Sequence, residues 1–317
     1  MDRRRALAAL AGGALAAPAS LYAAPAKPVH RIGLLMLDRD ANYMAEALRA
    51  LGYVEGRNVV FVKRNADRSE DLDKAAAALV AARSDVIVTT AAQDTIAARR
   101  ATSTIPIVMT YGLAPVETGL IASLARPGGN ITGTTAAPVE VAGKSVELLR
   151  EAIPSLRRLA VLSDSSAWDQ LYLRETENAA TRRGIAIDPV RVDGVADLQR
   201  ALDALERSPP GAISSSYGVV PYSKQIIEFA ARQRLPAMYP IAPAVAQGGL
   251  MAYSVHFPTV LAKAAAIVDR ILKGARPADI PVEQPTRYLL SVNLGTARRL
   301  GLTLPPSILV QAERVLE

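Results

Sequence analysis

The sequence predicts an α/β protein built as two doubly wound parallel-sheet lobes. Three observations carry this. The chain has 317 residues, half of them hydrophobic, enough for two α/β cores. From Val29 onward, short apolar runs alternate with amphipathic stretches of helical period. The same rhythm then restarts after a helix over 139–152, as a second lobe requires. Strands that alternate with helices of this length form parallel sheets with right-handed crossovers.

In order along the chain, residues 30–37 read as a buried strand. Residues 41–51 read as a helix stopped by Gly52, and 58–62 as a second strand. In 72–83 the apolar positions Leu72, Ala75, Ala76, Leu79 and Val80 mark one helical face. Residues 85–89 form a third strand, a short helix starts at Asp94, and 106–109 form a fourth strand. Residues 117–124 are expected to be helical. Arg126-Pro127-Gly128-Gly129-Asn130 is a turn, and 131–133 a further strand. The second series comprises strands over 159–162, 185–192, 212–213 and 237–239. Helices over 170–183, 198–206 and 223–233 lie between them.

The N-terminus has a different character. Arg3-Arg4-Arg5 is followed by an uncharged Ala/Leu/Gly stretch up to Ala26, interrupted by Gly12, Gly13, Pro18 and Pro25. That pattern predicts a signal peptide over 1–26, cleaved near Ala23–Ala26, with twin-arginine export suggested by the consecutive arginines. The chain has no cysteine. Disulfides and a lipidated cysteine are therefore not expected, and the mature protein is expected free in the periplasm.

The formal charge of +7 is spread as scattered pairs such as Arg99-Arg100 and Arg182-Arg183. Nucleic-acid binding, which clusters basic residues with aromatics, is not expected. Catalytic constellations are missing from the sequence. Only His30 and His256 are present, and neither G-x-S-x-G nor G-x-G-x-x-G occurs. Gly143-Lys144-Ser145 lacks the first glycine of a Walker loop, because Pro138 stands there. The sequence therefore points to a binding protein rather than an enzyme, with no cofactor and no metal.

Five segments carry a family resemblance. They are Leu51-Gly52-Tyr53-Val54-Glu55-Gly56-Arg57-Asn58-Val59, Ala101-Thr102-Ser103-Thr104-Ile105-Pro106-Ile107-Val108 and Leu124-Ala125-Arg126-Pro127-Gly128-Gly129-Asn130-Ile131-Thr132-Gly133. Gly248-Gly249-Leu250-Met251-Ala252-Tyr253 and Pro281-Val282-Glu283-Gln284-Pro285-Thr286 complete the set. In this order they resemble the ABC transporter substrate-binding family that includes tryptophan- and tyrosine-type binding proteins. The resemblance implies a type I periplasmic-binding-protein fold whose chain crosses between lobes about three times. Lobe one is expected over 27–135 plus about 256–291, and lobe two over 136–255 plus about 292–317. The crossings are expected at 134–136, 254–256 and around Val292-Asn293. The implied partners are a small-molecule ligand, an amino acid or related carboxylate, and ABC permease and ATPase subunits. A monomer is expected. The alternative role is that of a ligand-sensing partner of a signalling receptor.

In parallel sheets ligands bind beyond the carboxyl ends of the strands, where helix N-termini favour an anionic group. That rule nominates Asp38, Thr89, Thr90, Gln93, Tyr111 and Gly112 in lobe one. In lobe two it nominates Asp164, Ser165, Trp168, Ser215, Ser216, Tyr217 and Tyr239, with Tyr253 ending a strand near the crossover. The hydroxyls are expected to bond a polar head group. The tyrosines and Trp168, placed in a solvent-facing loop, are expected to wall a planar part. Asp38, Asp94 and Asp164 are the candidate partners for an α-amino group. Asp94 is expected to cap its helix.

Overall fold

The structure is a computed structural model that describes residues 29–37, 42–66, 71–90, 92–136 and 138–317. The predicted signal peptide and Asp38 lie outside the described residues. Two sheets organise the chain. The first has the order β2-β1-β3-β4-β5, from β1 (His30–Leu37), β2 (Val59–Ala66), β3 (Val86–Thr89), β4 (Ile107–Gly112) and β5 (Ile131–Thr135). All its pairings are parallel.

Side chains alternate across this sheet, as the strand period of two requires. Ile32 and Leu34 meet α1 (Asn42–Ala50) and α9 (Phe257–Leu272), which contribute Met44, Leu48 and Leu261. Leu35 and Ile87 face the other way, onto α2 (Leu72–Ala81) and α3 (Ala92–Ala101) through Leu72, Leu79 and Ala98. Gly52 ends α1 in the left-handed region at φ 91°, and Tyr53 N–H then reaches back to the Leu48 carbonyl at 3.1 Å.

The second sheet has seven strands in the order β12-β11-β10-β9-β8-β6-β7. They are β6 (Arg158–Ser163), β7 (Ala186–Arg191), β8 (Ala212–Ser215), β9 (Ala237–Tyr239), β10 (Met251–Val255), β11 (Tyr288–Asn293) and β12 (Ala312–Leu316). Only β10 and β11 run antiparallel. One face packs on α4 (Pro138–Ala152) and α5 (Ala167–Thr181). The other packs on α6 (Val195–Arg207), α7 (Ser223–Arg232) and α8 (Pro243–Ala246). In α6 the buried residues Leu198, Ala201, Leu202 and Leu205 repeat at helical spacing. Burying each leucine contributes about 1.5–3 kcal/mol.

The chain passes between the sheets three times. It leaves β5 for α4, and it leaves β10 for α9, which packs on the first sheet. It returns over 284–287, after Glu283 has paired with β5 through N–H···O bonds of 2.9 Å to Gly133 and from Thr135. This last passage lies upstream of Val292-Asn293. Those two residues are interior to the second sheet, where β11 is held by β10 on one side and β12 on the other.

Two further expectations are corrected. Residues 117–124 form turns, not a helix. Thr118 N–H and Leu120 N–H close one turn onto Ala114 and Pro115. Gly119, at φ 66°, then breaks the helical path. The helix expected from Gln170 starts at Ala167, so Trp168 sits in the first turn of α5 and is only 2% exposed.

Candidate ligand-binding site

The carboxyl ends of β3 and β4 come first. Thr89 and Thr90 close β3, and both hydroxyls are engaged. Thr89 Oγ1 lies 2.7 Å from Thr95 Oγ1. Thr90 donates both its hydroxyl (2.7 Å) and its N–H (3.1 Å) to Asp94 Oδ2, inside the first turn of α3. Asp94 is fully buried, and α3 begins at Ala92 rather than at Asp94, so Asp94 is the third residue of the helix and reaches back to Thr90 instead of capping the helix from its N-terminal flank. A carboxylate only accepts, so the Thr90 hydroxyl has spent its proton. What it still offers a ligand is a lone pair, which suits an ammonium better than a carboxylate. Gln93 is exposed on the same turn. Tyr111 and Gly112 end β4. Gly112 accepts from Ala136 N–H at 3.1 Å, and a Cβ there would stand 2.6 Å from the Met109 sulfur.

On the second sheet the end of β6 leads into a compact carboxylate cluster. Ser166 caps α5 by accepting from Asp169 N–H at 3.3 Å. Asp169 is fully buried. Its Oδ2 accepts from Asp164 N–H at 2.6 Å and from the Ser216 hydroxyl, and its Oδ1 accepts from Gly218 N–H at 3.3 Å. Burial pushes Asp169 up to about pKa 7. The Asp164 charge adds to that, and the three hydrogen bonds oppose it. A Cβ on Gly218 would lie 2.4 Å from both carboxylates, so glycine is what lets the β8 loop close over them. Asp164 in turn accepts from Ser166 N–H at 2.8 Å. Ser165 is exposed, and its N–H bonds Asp193 at 2.8 Å. Ser215 reaches the Met238 carbonyl at 3.4 Å, a contact within its own sheet.

Aromatic rings join the two sheets. Tyr111 donates its hydroxyl to the Tyr217 hydroxyl, with ring centroids 5.3 Å apart. Tyr217 meets Trp168 edge-on at 5.4 Å. In the other direction Tyr111 meets Phe257 at 6.5 Å, and Phe257 meets Tyr43 at 6.1 Å. The structure therefore brings Tyr111, Tyr217 and Trp168 together, and it adds Phe257, Tyr43 and Asp169, which sequence reasoning missed. Asp169 carried a readable signal: Ser166-Ala167-Trp168-Asp169 has capping-box spacing. The buried Trp168 Nε1 has no hydrogen-bond partner among the described residues.

Tyr239 and Tyr253 do not join this group. Tyr239 is a buried β9 residue packed on the α8 side, and burial pushes its phenol up. Tyr253 is in the middle of β10 rather than at its end. It stacks on Tyr288 at 5.6 Å, on the sheet face that packs against α4 and α5. Burial raises its pKa first, and the charges of Glu147 and Glu140 raise it further.

One parallel sheet and a second that is parallel but for β10 and β11, linked at their carboxyl strand ends by the Tyr111–Tyr217 contact, have the architecture of the type I periplasmic-binding-protein fold. Residues 36–316 match the family model described as ABC transporter substrate binding protein, and the chain belongs to that family. The family is one of binding proteins, not enzymes. A tyrosine-binding protein of Clostridioides difficile (strain R20291) is 26% identical over 275 residues, covering 84% of this chain and 77% of the relative. Among solved structures, an ABC domain from Streptococcus pneumoniae in complex with L-Trp superposes with a TM-score of 0.84. Its identity is 22%, over 90% of this chain and 99% of that one. A conserved domain protein from Vibrio cholerae gives 0.82 at 24% identity, with the same coverage.

Proposed function

We propose that this protein captures an aromatic α-amino acid between its two sheets and delivers it to the permease and ATPase subunits of an ABC importer. The observation that carries this reading is the buried indole of Trp168. Its N–H has no partner among the described residues, yet it stands in a relay of aromatic rings that links the sheets. A buried donor without an acceptor costs about 1–3 kcal/mol, which a ligand carboxylate would recover. The polar groups at the strand ends mostly accept: the Thr90 lone pair on the first sheet, and Asp164 and Asp169 on the second, suit an ammonium. The tyrosine-binding relative and the L-Trp complex support the aromatic choice. The two sheets with their helices would act as lobes that hinge at 134–136, 254–256 and 284–287. Arg3-Arg4-Arg5 and the uncharged run behind it support export to the periplasm.

Calorimetry with L-tryptophan, L-tyrosine, L-leucine, tryptamine and indole-3-propionate tests the reading. The two aromatic amino acids are expected to bind, and each of the truncated analogues is expected to lose about tenfold or more. Trp168→Phe is expected to weaken L-tryptophan by about tenfold, through the lost N–H. Equal binding of all five compounds, or none, overturns the proposal. Fractionation with N-terminal sequencing tests export, and full-length protein in the cytosol would count against it.

A further inference from the structure

The two sheets repeat one device. In each, a strand ends, a helix follows, and the third residue of that helix is a fully buried aspartate: Asp94 in α3 and Asp169 in α5. Each reaches back to the first residue after the strand, Asp94 to Thr90 N–H at 3.1 Å and Asp169 to Asp164 N–H at 2.6 Å. Asp169 does more than close its own turn. Its Oδ2 also accepts from the Ser216 hydroxyl and its Oδ1 from Gly218 N–H at 3.3 Å, both in the loop after β8. Starting a helix requires neither of those bonds.

The residue between these two partners is Tyr217. Ser216 N–H is also bonded to the Leu162 carbonyl of β6 at 3.0 Å, and the Tyr217 carbonyl accepts from Val220 N–H at 3.1 Å. The backbone on either side of Tyr217 is therefore fixed, and with it the root of the ring. Trp168, which Tyr217 meets edge-on at 5.4 Å, is the neighbour of Asp169 in the same helical turn. One carboxylate thus sets both rings of the pair, and Tyr217 in turn carries the hydroxyl bond to Tyr111. Both Asp169 oxygens are engaged and the residue has no exposed surface. An ammonium would feel its charge from a distance, but what it touches is the chain.

We propose that Asp169 is a positioning residue: by holding Ser216 and Gly218 it fixes the Tyr217 ring against Trp168, and so shapes the aromatic wall that a ligand meets. Its effect on affinity rests on the aromatic site proposed above; the placement of Tyr217 does not, and can be read without ligand.

Trp168 is the only tryptophan of the chain, so its emission reports that placement directly. Tyr217→Ala removes the ring and is expected to shift the ligand-free emission to the red and to raise quenching by acrylamide. Asp169→Asn is expected to do the same, as is Ser216→Ala, which leaves the Asp169 charge in place and carries the test alone should Asp169→Asn fail to fold. In the Tyr217→Ala background neither substitution is expected to shift the emission further, because residues that act through one group are not additive. Tyr172→Phe is the control. It deletes a buried bond to Ser214 (3.0 Å) one turn along α5, and is expected to lower the melting temperature with emission unchanged. Calorimetry with L-tyrosine reads the effect on capture: Asp169→Asn is expected to weaken it by about tenfold, and by far less once Tyr217 is alanine. Parent-like emission from both Asp169→Asn and Ser216→Ala overturns the proposal, as do shifts that add in full to that of Tyr217→Ala. A parent that fails to bind L-tyrosine overturns the proposed ligand, while an emission cycle that closes as expected still upholds the placement of Tyr217 by Asp169.

Discussion

Asp169 is a buried carboxylate held by two N–H groups and a hydroxyl, and burial still raises it to about pKa 7 from the ordinary 3.8. A raised folded-state pKa means that the native protein keeps a proton which the unfolded chain releases. The stability this group contributes is therefore present in full below about pH 4 and lost as pH rises to about 7. Asp169→Asn removes the titration. The melting temperature of the parent, taken relative to that variant, is expected to fall across this interval. A difference that stays constant from pH 4 to pH 8 would refute the assignment. At this scale the sequence was only partly readable. Thr90 lies at a strand end as its position implied, but the direction of its proton depends on Asp94, which no periodicity reveals. Trp168 looked like a loop residue because its helix starts three residues before the apolar pattern becomes regular.

Among the elements, β5 shows how close approach fixes a residue type. Gly133 has φ 138°, and a Cβ there would stand 2.0 Å from the Met109 carbonyl oxygen on β4. Both strain and backbone overlap oppose any side chain, so Gly133→Ala is expected to destabilise the protein by about 3 kcal/mol or more. Urea denaturation followed by far-UV circular dichroism measures this. A loss under about 1 kcal/mol would mean that the strands part without penalty. Gly218→Ala differs in kind, because its Cβ would meet the Asp164 and Asp169 carboxylates rather than backbone, and the Asp169 hydrogen bonds would have to be given up to make room. Strands were the most legible elements. Runs such as Val86-Ile87-Val88 are buried on both faces, and few conformations accommodate that. The segment over 117–124 misled because its apolar spacing is helical while Pro115 and Gly119 enforce turns, and turn chemistry overrides a short periodic stretch.

For the molecule as a whole, the question is what holds the two sheets in their present relation. Three strand-end passages connect them, a connection that favours hinge motion over rigidity. The pairing of β10 with β11 was less visible in advance than the lobes themselves. It joins segments on either side of α9 and reverses strand direction, which a strictly parallel rhythm does not foretell. The Tyr111–Tyr217 hydroxyl bond and edge-to-face contact provide a specific link between the end of β4 and the loop after β8. A hydrogen bond of this kind is worth about 0.5–1.5 kcal/mol net, a two- to twelvefold change in the balance between the closed and open forms that the proposed hinge motion implies. Tyr217→Phe keeps the ring and removes one hydroxyl, so fold and core are retained while that link is weakened. Small-angle scattering is expected to show a larger radius of gyration for the ligand-free variant than for the ligand-free parent, with both converging when L-tryptophan, the proposed ligand, is saturating. Affinity is expected to fall by no more than the same two- to twelvefold, because the ligand must then supply the closure energy that the tyrosine pair supplied before. Identical scattering of parent and variant, combined with identical affinity, would show that the pair reports closure without contributing to it.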